Sequence, residues 1–383
     1  MKRLLGRLLQ RADLKKSGAS ADVRILYVAN AYIPTLQLSF VKPLCVEVES
    51  GNVCTELLSD EQIKDLFSQR QKSEVTEWIV SRFDTFRPTH VVFCRYSGPY
   101  YREIYEKATN IGAAKIYHID DDLLNVPKEI GIKKYEFHNN PKRIESVKFL
   151  LKNSDLVYCS TGPLAQRLSD LVERDNTHFI SGKIYCSAND FVLPTETSNL
   201  TKIGYMGFDH AADLESVLPA IEKLLIAYPK LHFELFGGVP IPESLRPFED
   251  RIRHIPPVGD YKAFSAQMEK LGWSVGICPL TDSPFNKLKA NTKWVEYSCS
   301  GIAVVASRNT IYDDCCSNGC GILAETSDEW FEAIKRLLDE PEARQKMIMN
   351  AQSKVKNEYS ITQLRDQVMD VLSLASARAK QGQ

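Results

Sequence analysis

Apolar and polar positions alternate along this chain in two successive series of short hydrophobic runs separated by helical periodicities. The first series predicts strands at Val23 to Tyr32, His90 to Tyr96, Ala114 to Leu123, Ser154 to Thr161 and His178 to Cys186. Between them lie helical patterns, one carrying Val75, Trp78 and Phe83, another running from Pro163 to about Val172. The second series predicts strands in TKIGYMG from Thr201, LHFELFGG from Leu231, IRHIPPV from Ile252, VGICPL from Val275, IAVVAS from Ile302 and GCGILAET from Gly319. Helices are predicted from Asp213 to Pro229, from Tyr261, through Phe285 to Ser300, and from Ser327 to Leu338. Strands alternating with helices indicate parallel βαβ units. The chain therefore reads as two Rossmann-like α/β domains. DFVLPTETSN, Asp190 to Asn199, has no apolar period and reads as their linker. The pattern divides the chain into a basic segment 1–22, a first domain 23–195, a second domain 196–360 and a helix with tail 361–383, whose last residues AKQGQ read as disordered.

The stretch FNKLKANTKWVEYSCSGIAVVAS, Phe285 to Ser307, carries the most chemistry. Asn286, Lys289, Lys293 and Glu296 recur at steps of three and four and so share one predicted helical face. Leu288, Thr292, Val295 and Cys299 form another face suited to a sheet. Ligands of open α/β sheets bind beyond the carboxyl ends of the strands. The loop after VGICPL and the start of this helix fall there, and a lysine with helical amide groups favours phosphate. On one continuous helix, Lys289 to Glu296 spans about 10 Å at roughly 1.5 Å per residue. The plainer alternative is a solvated stripe with a Lys293–Glu296 ion pair of a few tenths of a kcal/mol.

Composition narrows the classes. The chain has 383 residues, 44% hydrophobic and 25% charged, the balance of a globular protein with two domains. A formal net charge of −1 gives no whole-chain attraction to nucleic acid. None of the ten cysteines forms a CxxC pair. They read as reduced thiols, and the Cys315-Cys316 and Cys320 cluster lacks a nearby histidine for a metal. No run is long and apolar enough to cross a membrane. MKRLLGRLLQRADLKK reads instead as a basic amphipathic helix, suited equally to an anionic membrane surface or to packing on the protein itself. A cytoplasmic protein, peripheral at the inner face of the membrane, is the expectation. No GxGxxG follows a strand, and no P-loop, HExxH or GxSxG motif is present.

Two tandem Rossmann-like domains with ligand loops concentrated in the second resemble the GT-B glycosyltransferases, two domains facing each other across a cleft. The Phe285–Ser307 block resembles the donor-binding segment of the GT4-like branch of bacterial surface polysaccharide enzymes. GYMGFDHAADLESVLPAIEKLL, YHIDDDLLNVP, DLVYCSTGPLAQRL and TSDEWFEAIKRLL resemble other segments of that group, in the same order. The resemblance implies sugar transfer from a nucleotide-sugar donor to a saccharide or lipid-linked saccharide acceptor, without metal or other cofactor. It implies that Glu296 holds the ribose hydroxyls, that Lys289 neutralises the diphosphate, and that Asn286 and Lys293 assist. Gly207 permits close backbone approach at a strand end, and His210 follows at a helix start as a diphosphate or sugar contact. In Asp120-Asp121-Asp122, carboxylates crowd one another, which raises proton affinity and suits a base. Asp120, then Asp121, are the candidates, and Asp122 and Arg95 are assigned to the acceptor side. A local Arg95–carboxylate pairing is the alternative. One departure stands out. Many GT4-like enzymes carry a second glutamate eight positions before the ribose-binding one, and here that position is Leu288. This leaves open another GT-B enzyme, a protein glycosyltransferase, or a silent nucleotide-sugar-binding scaffold.

Overall fold

The two series of apolar runs form two parallel sheets of six strands each. The computed structural model describes residues 21–67, 71–183, 191–192, 201–208, 211–259 and 261–381. The basic segment 1–16, the linker residues Asp190 and 193–199, and His210 therefore lie outside the described residues.

The chain divides into two units. The first takes the chain up to Asn125, Glu136–Ile184 and Ile361–Gln383; the second takes Val126–Tyr135 and Tyr185–Ser360. In the first unit the strands are β1 (Val23–Ala29), β2 (Val53–Ser59), β3 (His90–Cys94), β4 (Ala114–Ile119), β5 (Leu156–Cys159) and β6 (Phe179–Ser181), in the order β2-β1-β3-β4-β5-β6. In the second they are β7 (Thr201–Gly207), β8 (Leu231–Gly237), β9 (Ile252–Ile255), β10 (Val275–Cys278), β11 (Ala303–Ser307) and β12 (Ile322–Ala324), ordered β12-β11-β10-β7-β8-β9. Every pairing is parallel. Strand order thus reverses between β1 and β3 in one sheet, and between β7 and β10 in the other. Crevices at such reversal points are where open α/β sheets take ligands.

The strands are buried on both faces, as a helix-covered parallel sheet requires. The first core joins Tyr27, Phe40, Val92 and Ile116 to Val368, Val371, Leu372 and Ala375 of the helix Ile361–Gln381. This helix continues to Gln381, so Ala379 and Lys380 are ordered in its last turn, contrary to the disordered tail read from AKQGQ. The second core packs Ile203, Phe233, Val275 and Val305 against Ile221 and Leu224 of the helix Leu218–Ala227, and against Ile334 of Ser327–Asp339.

One strand, β2, was missed by the sequence pattern, and two local expectations are corrected. β2 lies in a stretch whose apolar run is interrupted by Thr55 and Glu56; Glu56 is tolerated because Arg82 pairs with it. The helix predicted from Asp213 to Pro229 is two helices, Ala211–Glu215 and Leu218–Ala227, because Pro219 fits only the first turn of a helix. The helix predicted through Phe285 to Ser300 is a 3-10 turn, Asn286–Leu288, then an α-helix, Thr292–Cys299. Lys289 between them is extended, with φ −70° and ψ 161°.

Candidate active site

At the reversal point of the second sheet, one carboxylate ties two strand-end loops together. Asp213 is buried in the helix that follows β7. Its Oδ1 accepts hydrogen bonds from the Thr281 amide and hydroxyl, each at 2.8 Å, and from Asn286 Nδ2 at 3.1 Å. Thr281 and Asn286 belong to the loop after β10. Asn286 Nδ2 also donates to the Thr281 carbonyl at 3.0 Å, and the Asn286 amide donates to Ser283 Oγ at 3.1 Å. The buried Asn286 amide therefore fixes the loop from within. The same loop is anchored to β11 by the Leu280 amide, which donates to Ser307 Oγ at 2.8 Å. Asp213, which sequence alone leaves as a solvated residue at the start of a predicted helix, is instead the hub of this network.

Glycines bring the backbone close on the neighbouring side. The Gly238 amide donates to the Gly207 carbonyl at 2.9 Å. Gly237 has φ +127°, and a Cβ there would lie 2.1 Å from the Gly207 oxygen, so no other residue fits. Met206 N donates to the Tyr297 hydroxyl at 2.8 Å, which holds the helix Thr292–Cys299 against the end of β7. Gly276 makes room for the Tyr297 ring.

That helix carries Lys293 and Glu296, both half-buried. Lys293 Nζ lies 5.7 Å from the centre of the Tyr205 ring. Burial lowers its proton affinity, Lys289 nearby lowers it further, and Cys278, Asp213 and Glu296 oppose this. Lys289 Nζ lies 4.8 Å from the centre of the Phe285 ring. The break at Lys289 removes the predicted single stripe, and Lys289 remains near enough to disfavour the charged form of Lys293. Tyr261 stands beside Glu296: burial, reinforced by that carboxylate, pushes its phenol up, so it remains a hydrogen-bond donor. Tyr261, Thr281 and Ser307 carry no periodic signal and were not legible from spacing. His210 lies outside the described residues.

In the first unit, β4 ends at Ile119 and delivers Asp120 and Asp121 to Arg95, which follows β3. Arg95 Nη1 donates to Asp121 Oδ2 at 3.0 Å and also to Asp120 Oδ1. Thr35 Oγ1 donates to Asp120 Oδ2 at 2.7 Å. Burial raises the proton affinity of Asp120; Arg95 opposes this, and Asp121 adds to it. Arg95 has φ +47°, an uncommon value for a side-chain-bearing residue. Its carbonyl accepts from Asn30 Nδ2 at 3.2 Å, which secures the turn. Asp122 does not join this pair. It folds back on its own loop, accepting from Leu124 N at 3.2 Å and from Asn125 Nδ2 at 2.8 Å. Thr35 and Asn30 are site residues that sequence pattern alone did not mark. Among the described residues, no group of three His, Cys, Asp or Glu side chains is placed to hold a metal ion.

Comparison with known proteins bears on these sites. Residues 216–370 match the model of a family described as glycosyl transferase-like. No curated protein sequence matches the chain. Among solved structures, the chain is similar to HepE from Anabaena in complex with UDP and glucose, with TM-score 0.63 and 13% identity over 92% of this chain and 99% of that one. It is similar to the UDP-forming α,α-trehalose-phosphate synthase from Burkholderia xenovorans, with TM-score 0.57 and 13% identity over 92% and 99%. A glycosyltransferase from Rickettsia africae gives TM-score 0.57 and 14% identity over 92% and 98%. The chain thus has the GT-B fold, and its residues 216–370 carry the glycosyl transferase-like match.

Proposed function

We propose that the chain transfers a sugar from a UDP-sugar to a saccharide or lipid-linked saccharide acceptor of a surface glycan, as a member of the GT4-like branch. The observation that carries this reading is the lock of Asp213, Thr281 and Asn286 at the β7–β10 reversal point, with Lys289, Lys293 and Glu296 beside it. HepE, similar in fold, was solved with UDP-glucose. Glu296 accepts hydrogen bonds from the ribose diol, a task suited to a carboxylate. Lys289 and Lys293 supply positive charge to the diphosphate as it leaves, so no metal is required. Gly207 lets the strand end approach the donor closely. Asn286 holds the loop rather than the ligand, because its amide is already engaged on Asp213 and Thr281.

The acceptor hydroxyl oxygen bonds to the anomeric carbon, the bond from that carbon to the diphosphate oxygen breaks, and UDP leaves with the electron pair. Asp120 takes the hydroxyl proton, and Asp121 and Arg95 set its readiness to do so. Residues 1–16 provide peripheral membrane contact. UDP release from UDP-glucose, followed in wild type and Asp120→Asn, tests the reading. A fall in kcat of about 10²-fold or more is expected for loss of a general base; an unchanged rate contradicts the assignment. Flotation with liposomes containing anionic lipid tests the membrane contact, and unchanged binding after deletion of residues 1–16 contradicts it.

A further inference from the structure

Beside Arg95, at the same end of the first sheet, lies a second polar cluster that the transfer chemistry above does not use. Asp60 follows β2 and opens the helix Asp60–Phe67. It is 2% exposed. Its Oδ2 pairs with Lys64 Nζ at 2.7 Å and lies 4.0 Å from Arg143 Nη2. Its Oδ1 is buried and accepts no hydrogen bond among the described residues. Arg143 packs 3.6 Å over the Phe137 ring and donates through Nη1 to Ser97 Oγ at 3.0 Å. Asn30 joins this cluster to the neighbouring one: its amide donates to Ser97 Oγ at 3.4 Å and to the Arg95 carbonyl at 3.2 Å. Its own carbonyl accepts from Glu61 N at 3.1 Å. The ends of β1, β2 and β3 are thus knitted around one unsatisfied carboxylate oxygen.

A buried acceptor without a donor is costly, and its presence in a native fold calls for an explanation. Through Asn30 and Ser97, which follow β1 and β3, the cluster borders the point where strand order reverses, a ligand position. We propose that Asp60, Ser97 and Arg143 form a subsite for a neutral polyhydroxylated ligand, the saccharide acceptor. A hydroxyl of such a ligand donates to Asp60 Oδ1, while Arg143 and Ser97 address its other oxygens. An anionic ligand is disfavoured, because the unsatisfied oxygen belongs to a carboxylate that would repel it. The route from this subsite to Asp120 is short in bonds: Asn30 contacts both Ser97 and Arg95.

This inference rests on the reading under Proposed function, and one assay separates the two. UDP release from UDP-glucose is measured alone and with maltose, cellobiose, lactose or glucose 1-phosphate. Release without saccharide, and its loss in Asp120→Asn, report on the reading itself. Stimulation by a neutral disaccharide, with a KM raised at least tenfold in Asp60→Asn, supports the subsite. Lys64→Ala removes the surface ion pair without touching Oδ1, and its saccharide KM stays within twofold of wild type. Cooperative thermal melting with the wild-type number of transitions shows whether Asp60→Asn folds; if it does not, Ser97→Ala replaces it, with a rise of at least threefold expected. The subsite is overturned if the folded variant keeps a KM within twofold. It is equally overturned if Lys64→Ala reproduces the effect, if glucose 1-phosphate is preferred, or if wild type releases UDP but no neutral disaccharide stimulates it.

Discussion

Asp120 and Asp121 illustrate what a residue's neighbours add to its identity. The run of three aspartates was legible in the sequence, and crowding of carboxylates was a fair reason to expect raised proton affinity. The three part company in the fold. Asp122 turns to Leu124 and Asn125, while Arg95 gathers the other two. Burial is the first cause of the raised proton affinity of Asp120, and Asp121 contributes less. A general base works deprotonated, so activity is lost as pH falls through the raised Asp120 value, above the ordinary carboxylate range. Asp121→Asn removes a like charge and lowers that value. The acid limb of the kcat profile for UDP-glucose turnover should therefore move to lower pH in Asp121→Asn. An acid limb that moves upward would contradict this arrangement. Nothing in the sequence announced Thr35, which lies 85 residues from Asp120 yet donates to it.

At the scale of elements, periodicity located most strands and helices but misjudged their continuity. The spacing of Asn286, Lys289, Lys293 and Glu296 is unbroken across Ala290 and Asn291. A 3-10 turn and an α-helix both return every three to four residues, so spacing alone does not reveal a break between them. The break comes from long-range bonds: Asn286 is drawn inward by Asp213, 73 residues earlier. Pro219 did mark a boundary that the apolar pattern had run through. Asn286→Ala should destabilise the protein by about 1–3 kcal/mol, since it leaves Asp213 and the Thr281 carbonyl short of a donor in a buried setting. Urea denaturation measures this. UDP binding should weaken in the same variant because the loop loses its anchor. A variant as stable as wild type, with unchanged UDP affinity, would remove Asn286 from the site's support.

For the whole molecule, the α/β class and the two Rossmann-like sheets were readable from the sequence, because long parallel strands are apolar on both faces. The place of the last helix was not. Its pattern says only that one face is apolar, and the structure shows that Val368, Val371, Leu372 and Ala375 complete the core of the first unit. Burying each larger aliphatic side chain is worth about 1.5–3 kcal/mol, so three of them rival the roughly 5–15 kcal/mol that holds a typical domain folded. Deleting 361–383 should abolish cooperative melting of the first unit, followed by differential scanning calorimetry. A truncated chain with an unaltered thermogram would contradict that packing.

The central claim is that the second unit binds a nucleotide diphosphate through the helix Thr292–Cys299 and the loop after β10. Calorimetric titration of UDP into wild type and Glu296→Ala tests it most directly. The account predicts saturable binding to wild type at one site, weakened at least tenfold by Glu296→Ala while the variant's melting temperature without UDP is retained. Absence of binding to wild type, or equal affinity in the variant, would contradict it.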